Sequence, residues 1–330
     1  MATVHPARKI MVLYTGGTIG MQAGANGLAP ASGFEQRMRE QLAGLTGIPL
    51  WHFREMQPLI DSANMTPHYW QRLREAVIDA VDVQGCDAAL ILHGTDTLAY
   101  SAAAMSFQLL GLDAPVLFTG SMLPAGVADS DAGENLLGAL QALAGGLPSG
   151  VQLYFHGELL DPLRTAKVRS FGRHPFVQLK RFGGAMPADH LPAKLDCRQP
   201  KQPASVAVLP LVPGFNSNLL HTVLDSGAQG LILECFGSGT GPADNPDFLA
   251  ALAQAQAKGV VVVAITQCHE GGVELDVYEA GSRLRQVGVL SGGGMTREAV
   301  FGKLQLLLGA GLPTEDVRHL IEQDLCGELR

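Results

Sequence analysis

An apolar run, Ile10-Met11-Val12-Leu13, stops abruptly at Tyr14-Thr15-Gly16-Gly17-Thr18-Ile19-Gly20. The run reads as a short buried strand. The three glycines that follow let the backbone bend sharply and come close to a ligand or to another segment. Thr15 and Thr18 put two hydroxyls on that bend. Open α/β sheets place their sites at such points, outside the carboxyl ends of their strands. A phosphate-binding reading fails here. No Lys-Ser or Lys-Thr follows the glycines, and the G-x-G-x-x-G spacing is not met. Taken alone, the turn is equally compatible with an inert strand-to-loop connection, so chemistry needs a second feature.

That feature lies further along. Residues 88–92 form another continuous apolar run, the pattern of a strand buried on both faces. It ends in His93-Gly94-Thr95-Asp96-Thr97, and Leu98, Ala102, Met105 and Leu109 follow at helical spacing. Thr66 and Pro67 have the form of a helix N-cap and first position. Further strands are expected at 116–119 and 151–155, with a helix after Glu134. Residues 21–33 lack any period and read as a mobile loop, and Arg164-Thr165-Ala166-Lys167-Val168-Arg169 reads as a long basic loop. Prolines 187, 192, 200 and 203 then cluster where periodicity vanishes. Beyond them come strands at 206–209, 230–233 and 260–265, alternating with helices at 218–224, 246–257, 296–308 and 315–325. This alternation predicts two α/β domains with largely parallel sheets covered by helices. The N-terminal domain is expected over 1–186, a proline-rich linker over 187–204, and the C-terminal domain over 205–330.

The 330 residues are 47% hydrophobic and carry a net charge of −8, which disfavours a nucleic-acid partner or an anionic membrane surface. The longest apolar runs, such as 260–265, are too short to span a bilayer. No apolar signal core follows the first few residues. Cys86, Cys197, Cys235, Cys268 and Cys326 are scattered and show no CxxC or zinc spacing, so free packing thiols and no metal are expected. The expectation is a soluble cytoplasmic protein.

A threonine hydroxyl needs a base or a positive neighbour before it attacks anything. Thr15 and Thr95 stand at the ends of strands expected in one sheet. Asp96 suits a substrate ammonium, although it also suits the N-cap of the helix that follows. Lys167 is suited to stabilise a Thr95 alkoxide, against the plainer reading of a solvated basic loop. His93, His156 and His269 read as local hydrogen-bonding residues, since no second ligand has metal spacing.

These residues resemble a known family. Thr15-Gly-Gly-Thr-Ile-Gly20 and His93-Gly-Thr-Asp-Thr-Leu98 look like the two signatures of the bacterial-type L-asparaginases, specifically the cytosolic type I branch. The resemblance also takes in Asp61-Ser62, Met65-Thr66-Pro67, Gly120-Ser121, Asn135-Leu136-Leu137, Arg164-Thr165-x-Lys167, Gly237-Ser-Gly239, Thr266-Gln-Cys268 and Met295-Thr296. It implies hydrolysis of L-asparagine to aspartate and ammonia without a cofactor. By that resemblance Thr15 attacks the amide to give an acyl-enzyme, and Thr95 and Lys167 relay protons or activate water. Asp96 holds the α-ammonium, and Asp61 and Ser62 bind the amino-acid head. It also implies a homodimer or homotetramer, each site closed by the neighbour's C-terminal domain. Three departures stand out. Leu28, in Asn26-Gly27-Leu28, replaces a tyrosine of many relatives, so Tyr278 of the partner subunit is expected to supply a phenol. Thr240 stands where relatives often have asparagine, which bears on affinity. Ala63 stands near the head group, which bears on the choice between asparagine and glutamine. The alternatives are an amino-acid-binding protein with weak or lost turnover and a broader glutaminase-asparaginase. A role on charged tRNA is disfavoured by the acidic balance and by the expected absence of an extra N-terminal domain.

Overall fold

The computed structural model describes residues 4–24, 27–181 and 184–329. These fall into two compact units. One runs to Gln178 and includes Asp196–Arg198; the other comprises Leu179–Leu195 and the chain from Gln199 onward.

The first unit is built on β1 (Lys9–Gly16), β2 (Leu50–Ile60), β3 (Ala88–Leu92), β4 (Pro115–Thr119), β5 (Gly150–Phe155) and β6 (Glu158–Leu160). Their order across the sheet is β6-β5-β4-β3-β1-β2, with every pair parallel except the edge hairpin β5–β6. β3 and β4 are buried at every residue, as their largely apolar sequences lead one to expect of central strands. β2 is an edge strand and is mostly half-exposed. Ile10, Val12 and Tyr14 of β1 pack into one core with helices α1 (Phe34–Leu42) and α4 (Ala132–Gly145). Met11 and Leu13 point to the other face and are equally buried. Helices α2 (Pro67–Ile78) and α3 (Leu98–Gln108) cover that face and are tied together by Trp70 Nε1 donating to Ser101 Oγ at 2.8 Å. Burying each large aliphatic residue contributes about 1.5–3 kcal/mol, so the sheet core is the main source of stability here.

This strand order fixes the site. The chain crosses from β1 to β2 on one side, then returns to β3 on the other. The connections after β1 and β3 therefore part and leave a crevice at their carboxyl ends. Glycines let the turns there meet without side chains. Gly17 has φ 78° and ψ 176°, a region open essentially to glycine alone. A Cβ on Gly17 would lie 2.3 Å from the Gly94 backbone, and one on Gly16 would lie 2.3 Å from Ile60 O.

The second unit has β7 (Val206–Pro210), β8 (Gly230–Cys235), β9 (Val261–Thr266) and β10 (Leu290–Ser291), all parallel and in chain order. Helices α5 (Asn218–Asp225), α6 (Pro246–Ala257) and α7 (Glu279–Gln286) share one core with this sheet. Helices α8 (Arg297–Gly309) and α9 (Thr314–Ile321) pack on its other face. Lys303 of α8 is fully buried and donates to Ile321 O (2.8 Å) and Gln323 O (2.5 Å), while pairing with the buried Glu328 at 2.8 Å. Glu328 also accepts from Leu325 N and Cys326 N, so one ion pair knots the C-terminal segment to α8.

Several expectations need correction. Within 21–33, expected as an aperiodic loop, Met21–Gly24 and Gly27–Pro30 form an antiparallel hairpin; Asn26 lies outside the described residues. The stretch 164–169 is not simply a loop, because Thr165–Lys167 pairs with Phe176–Gln178. The 187–204 stretch, expected as a proline-rich linker, makes hydrogen bonds along its length. Cys197 N donates to Leu110 O at 2.7 Å, Arg198 pairs with Asp82 at 2.8 Å, and Ala188 N donates to Asp324 O at 2.9 Å. Prolines erase periodicity but not pairing.

Two changes test this account. Gly17→Ala is expected to lower unfolding free energy by about 1–3 kcal/mol or more, measured by urea denaturation. Lys303→Met strands the Glu328 carboxylate and is expected to cost about 3–5 kcal/mol in the same assay.

Candidate active site

Thr15 is the penultimate residue of β1 and is 1% exposed. Its Oγ1 donates to Leu92 O, at the end of β3, at 3.0 Å. A peptide carbonyl holds that proton but does not take it up, so attack by Thr15 needs another acceptor. Beneath the turn, the Tyr14 hydroxyl fills the space a Cβ on Gly20 would occupy and lies 3.4 Å from Ala31 O. Burial pushes the Tyr14 phenol up to about 12, so it remains a neutral donor at the base of the hairpin.

Thr95 follows Gly94, whose backbone abuts Gly17. It is 6% exposed, and its Oγ1 accepts from Lys167 Nζ at 3.0 Å. The same ammonium donates to Asp96 Oδ1 at 2.6 Å. Lys167 is thus a bridge rather than a solvated cation. Its side chain is 17% exposed, whereas the Asp96 side chain is 63% exposed and faces solvent. Solvent screening makes this a geometric link more than a stabilising one. The ammonium nevertheless lies where negative charge on Thr95 Oγ1 would develop. Asp96 is not the helix cap. Thr97 occupies the N-cap position of α3 and makes no side-chain cap bond; its Oγ1 donates instead to Ser62 O at 2.8 Å.

The third wall comes from the turn after β2. Asp61 caps the short 3-10 turn Ser62–Asn64, its Oδ1 accepting from Ala63 N at 3.2 Å. Ser62 is 3% exposed, and its Oγ lies 2.6 Å from where a Gly94 Cβ would be. The structure therefore brings Thr15, Ser62, Thr95, Asp96 and Lys167 to the ends of β1, β2 and β3 in the first unit. Asp61 adjoins them through Ser62. Tyr278 belongs to the second unit, where it precedes α7 and is 59% exposed.

Two groups escaped functional assignment from sequence. Asp131, 1% exposed, accepts from Met122 N and Leu123 N and so holds the loop after β4. Asn135, one helical turn on, donates to Gly120 O at 3.0 Å and accepts from His156 N at 2.8 Å. Their spacing of four at the start of a helix is the only local signal. The other is His93, fully buried at the end of β3, with Nδ1 2.8 Å from Gly94 O. Burial pushes its imidazole down to about 4, so the ring is neutral near physiological pH.

Among the described residues, no three His, Cys, Asp or Glu side chains are grouped to hold a metal. No described helix is long and apolar enough to cross a membrane. Cys86, Cys197 and Cys235 are buried, and Cys268 is exposed.

Comparison with known proteins agrees across the chain. Residues 9–185 match the family described as Asparaginase, N-terminal, and residues 205–321 match the Glutaminase/Asparaginase C-terminal domain. L-asparaginase 1 of Escherichia coli K12 is 37% identical over 98% of both chains. The solved structure of the thermostable L-asparaginase from Thermococcus kodakarensis has a TM-score of 0.84 at 32% identity, covering 98% of this chain and 99% of that one. L-asparaginase I from Vibrio cholerae O1 biovar eltor gives the same TM-score and coverage at 33% identity. With both domain families matched and the threonine turns set side by side, the chain belongs to the asparaginase family.

Proposed function

We propose that this protein hydrolyses the side-chain amide of L-asparagine to L-aspartate and ammonia through an acyl-enzyme on Thr15. The observation that carries the reading is the Lys167 ammonium bridging Thr95 Oγ1 and Asp96 Oδ1, at the strand ends where Thr15 also stands. In the first half-reaction Thr15 Oγ1 bonds to the amide carbon. Its proton passes through the Thr95–Lys167 pair to the departing nitrogen, which leaves as ammonia. Water then adds to the ester, the same pair moves its proton, and aspartate leaves as Thr15 regains its hydrogen. The exposed Asp96 carboxylate retains a second oxygen for the substrate α-ammonium. Asp61 and Ser62 border the amino-acid head.

Tyr278 of the partner subunit completes the site in a homodimer or homotetramer acting in the cytoplasm. The exposure of Tyr278 and of its neighbour Val277 supports that reading, since both are available to a second copy. A broader glutaminase-asparaginase activity is the second reading. It is favoured by the Glutaminase/Asparaginase C-terminal match and by Ala63, a small exposed residue beside Ser62.

Ammonia release from asparagine and from glutamine by the purified protein tests the assignment. Thr15→Ala is expected to abolish it, and Lys167→Met to lower kcat about 10²–10⁴-fold. Full activity in Thr15→Ala would remove the nucleophile assignment. Tyr278→Phe is expected to reduce kcat without altering the oligomer seen by light scattering; unchanged turnover would take Tyr278 out of the site.

A further inference from the structure

His93 plays no part in the proton path above, yet its setting is specific. The ring is fully buried and tilted against Phe118, with centroids 6.0 Å apart. Its Nδ1 lies 2.8 Å from Gly94 O, while the buried Nε2 meets no hydrogen-bonding partner among the described residues. A carbonyl oxygen only accepts, so Nδ1 carries the hydrogen and the neutral ring has one defined tautomer. The main chain is held as firmly. His93 N donates to Thr119 O at 2.9 Å, and a Cβ on Gly120 would lie 2.2 Å from His93 O. What this braced ring grips is the carbonyl of Gly94.

In a planar trans peptide the C=O and N–H point in opposite directions. Fixing Gly94 C=O on the ring therefore aims the Thr95 N–H away from it. The same peptide sets where the Thr95 side chain meets Lys167 Nζ. We propose that His93 is a positioning residue of the amide-cleaving site, its Nδ1–H locking the Gly94–Thr95 peptide so that Thr95 presents its hydroxyl to Lys167. The inference rests on the asparaginase reading above.

Three variants separate the two ring nitrogens. His93→Asn keeps an N–H donor within reach of the Nδ1 position, His93→Gln moves its amide toward the Nε2 position, and His93→Leu removes both. His93→Leu and His93→Gln are expected to lose about 10²-fold in kcat, the scale of a small misplacement, with KM for asparagine little changed. His93→Asn is expected to recover most of that loss. Wild-type kcat in His93→Leu, or equal losses in His93→Asn and His93→Gln, overturns the proposal. Where the variants do not fold, the unaltered protein labelled with ¹⁵N-histidine decides. The expected spectrum shows a proton on Nδ1 that persists between about pH 5 and 8. A proton on Nε2, or titration within that range, overturns the assignment. Absence of ammonia release by the unaltered protein would instead sink the amidase reading, a result distinct from any of these.

Discussion

Backbone meets backbone where Gly17 lies against Gly94, and the proposed chemistry of this protein depends on that approach. Two turns that belong to different strands come as near as peptides can, because neither carries a side chain at the point of meeting. Thr15 stands two residues before one glycine and Thr95 directly after the other, so their proximity follows from the packing of the main chain. The parallel sheet makes this possible only between β1 and β3, where successive connections leave toward opposite faces. The sheet of the second unit runs in chain order and has no such reversal.

Charge is used sparingly around these hydroxyls. Lys167 arrives on a short hairpin and gives one ammonium to Thr95 and to Asp96 together. The arrangement suits a zwitterion: a carboxylate with an unused oxygen lies outside, and a cation sits behind the threonine. The Asp131 carboxylate is spent on backbone N–H groups of the loop after β4. In the second unit the buried Glu234 carboxylate, at the end of β8, is matched by both Arg297 donors.

How much of this was legible in the sequence varies with the range of the interaction. Continuous apolar runs revealed β1, β3 and β4, because strands buried on both faces carry polar residues only at their ends. Thr66-Pro67 marked the start of α2, and Thr66 Oγ1 does accept from Tyr69 N at 3.3 Å. The edge strand β2 was passed over, since Trp51, His52, Phe53, Arg54 and Glu55 mix polarity on a half-exposed surface. The hairpin at 21–30 was missed for a related reason: most of its residues are exposed, so its pairing leaves no apolar signature. Lys167 meets Thr95 across 72 positions, and no spacing rule encodes that meeting. The strand-end turns marked Thr15 and Thr95 as candidates, and family resemblance turned them into a specific amide-cleaving reading. His93 was read as a local hydrogen-bonding residue, which is what its Nδ1 is; the consequence for the next peptide appears only in three dimensions.

The glycine seam has a bearing on how such an enzyme changes over time. Positions 16, 17, 94 and 120 tolerate no side chain without displacing a neighbouring segment, so the floor of the cleft is closed to mutational tuning. Diversity among substrates must then be written at the rim. Leu28, Ala63 and Leu123 are exposed. Selection for a longer or shorter amide therefore has a rigid floor and a pliable border to work with, so the scaffold can drift in preference while the strand ends that carry Thr15 and Thr95 stay in place.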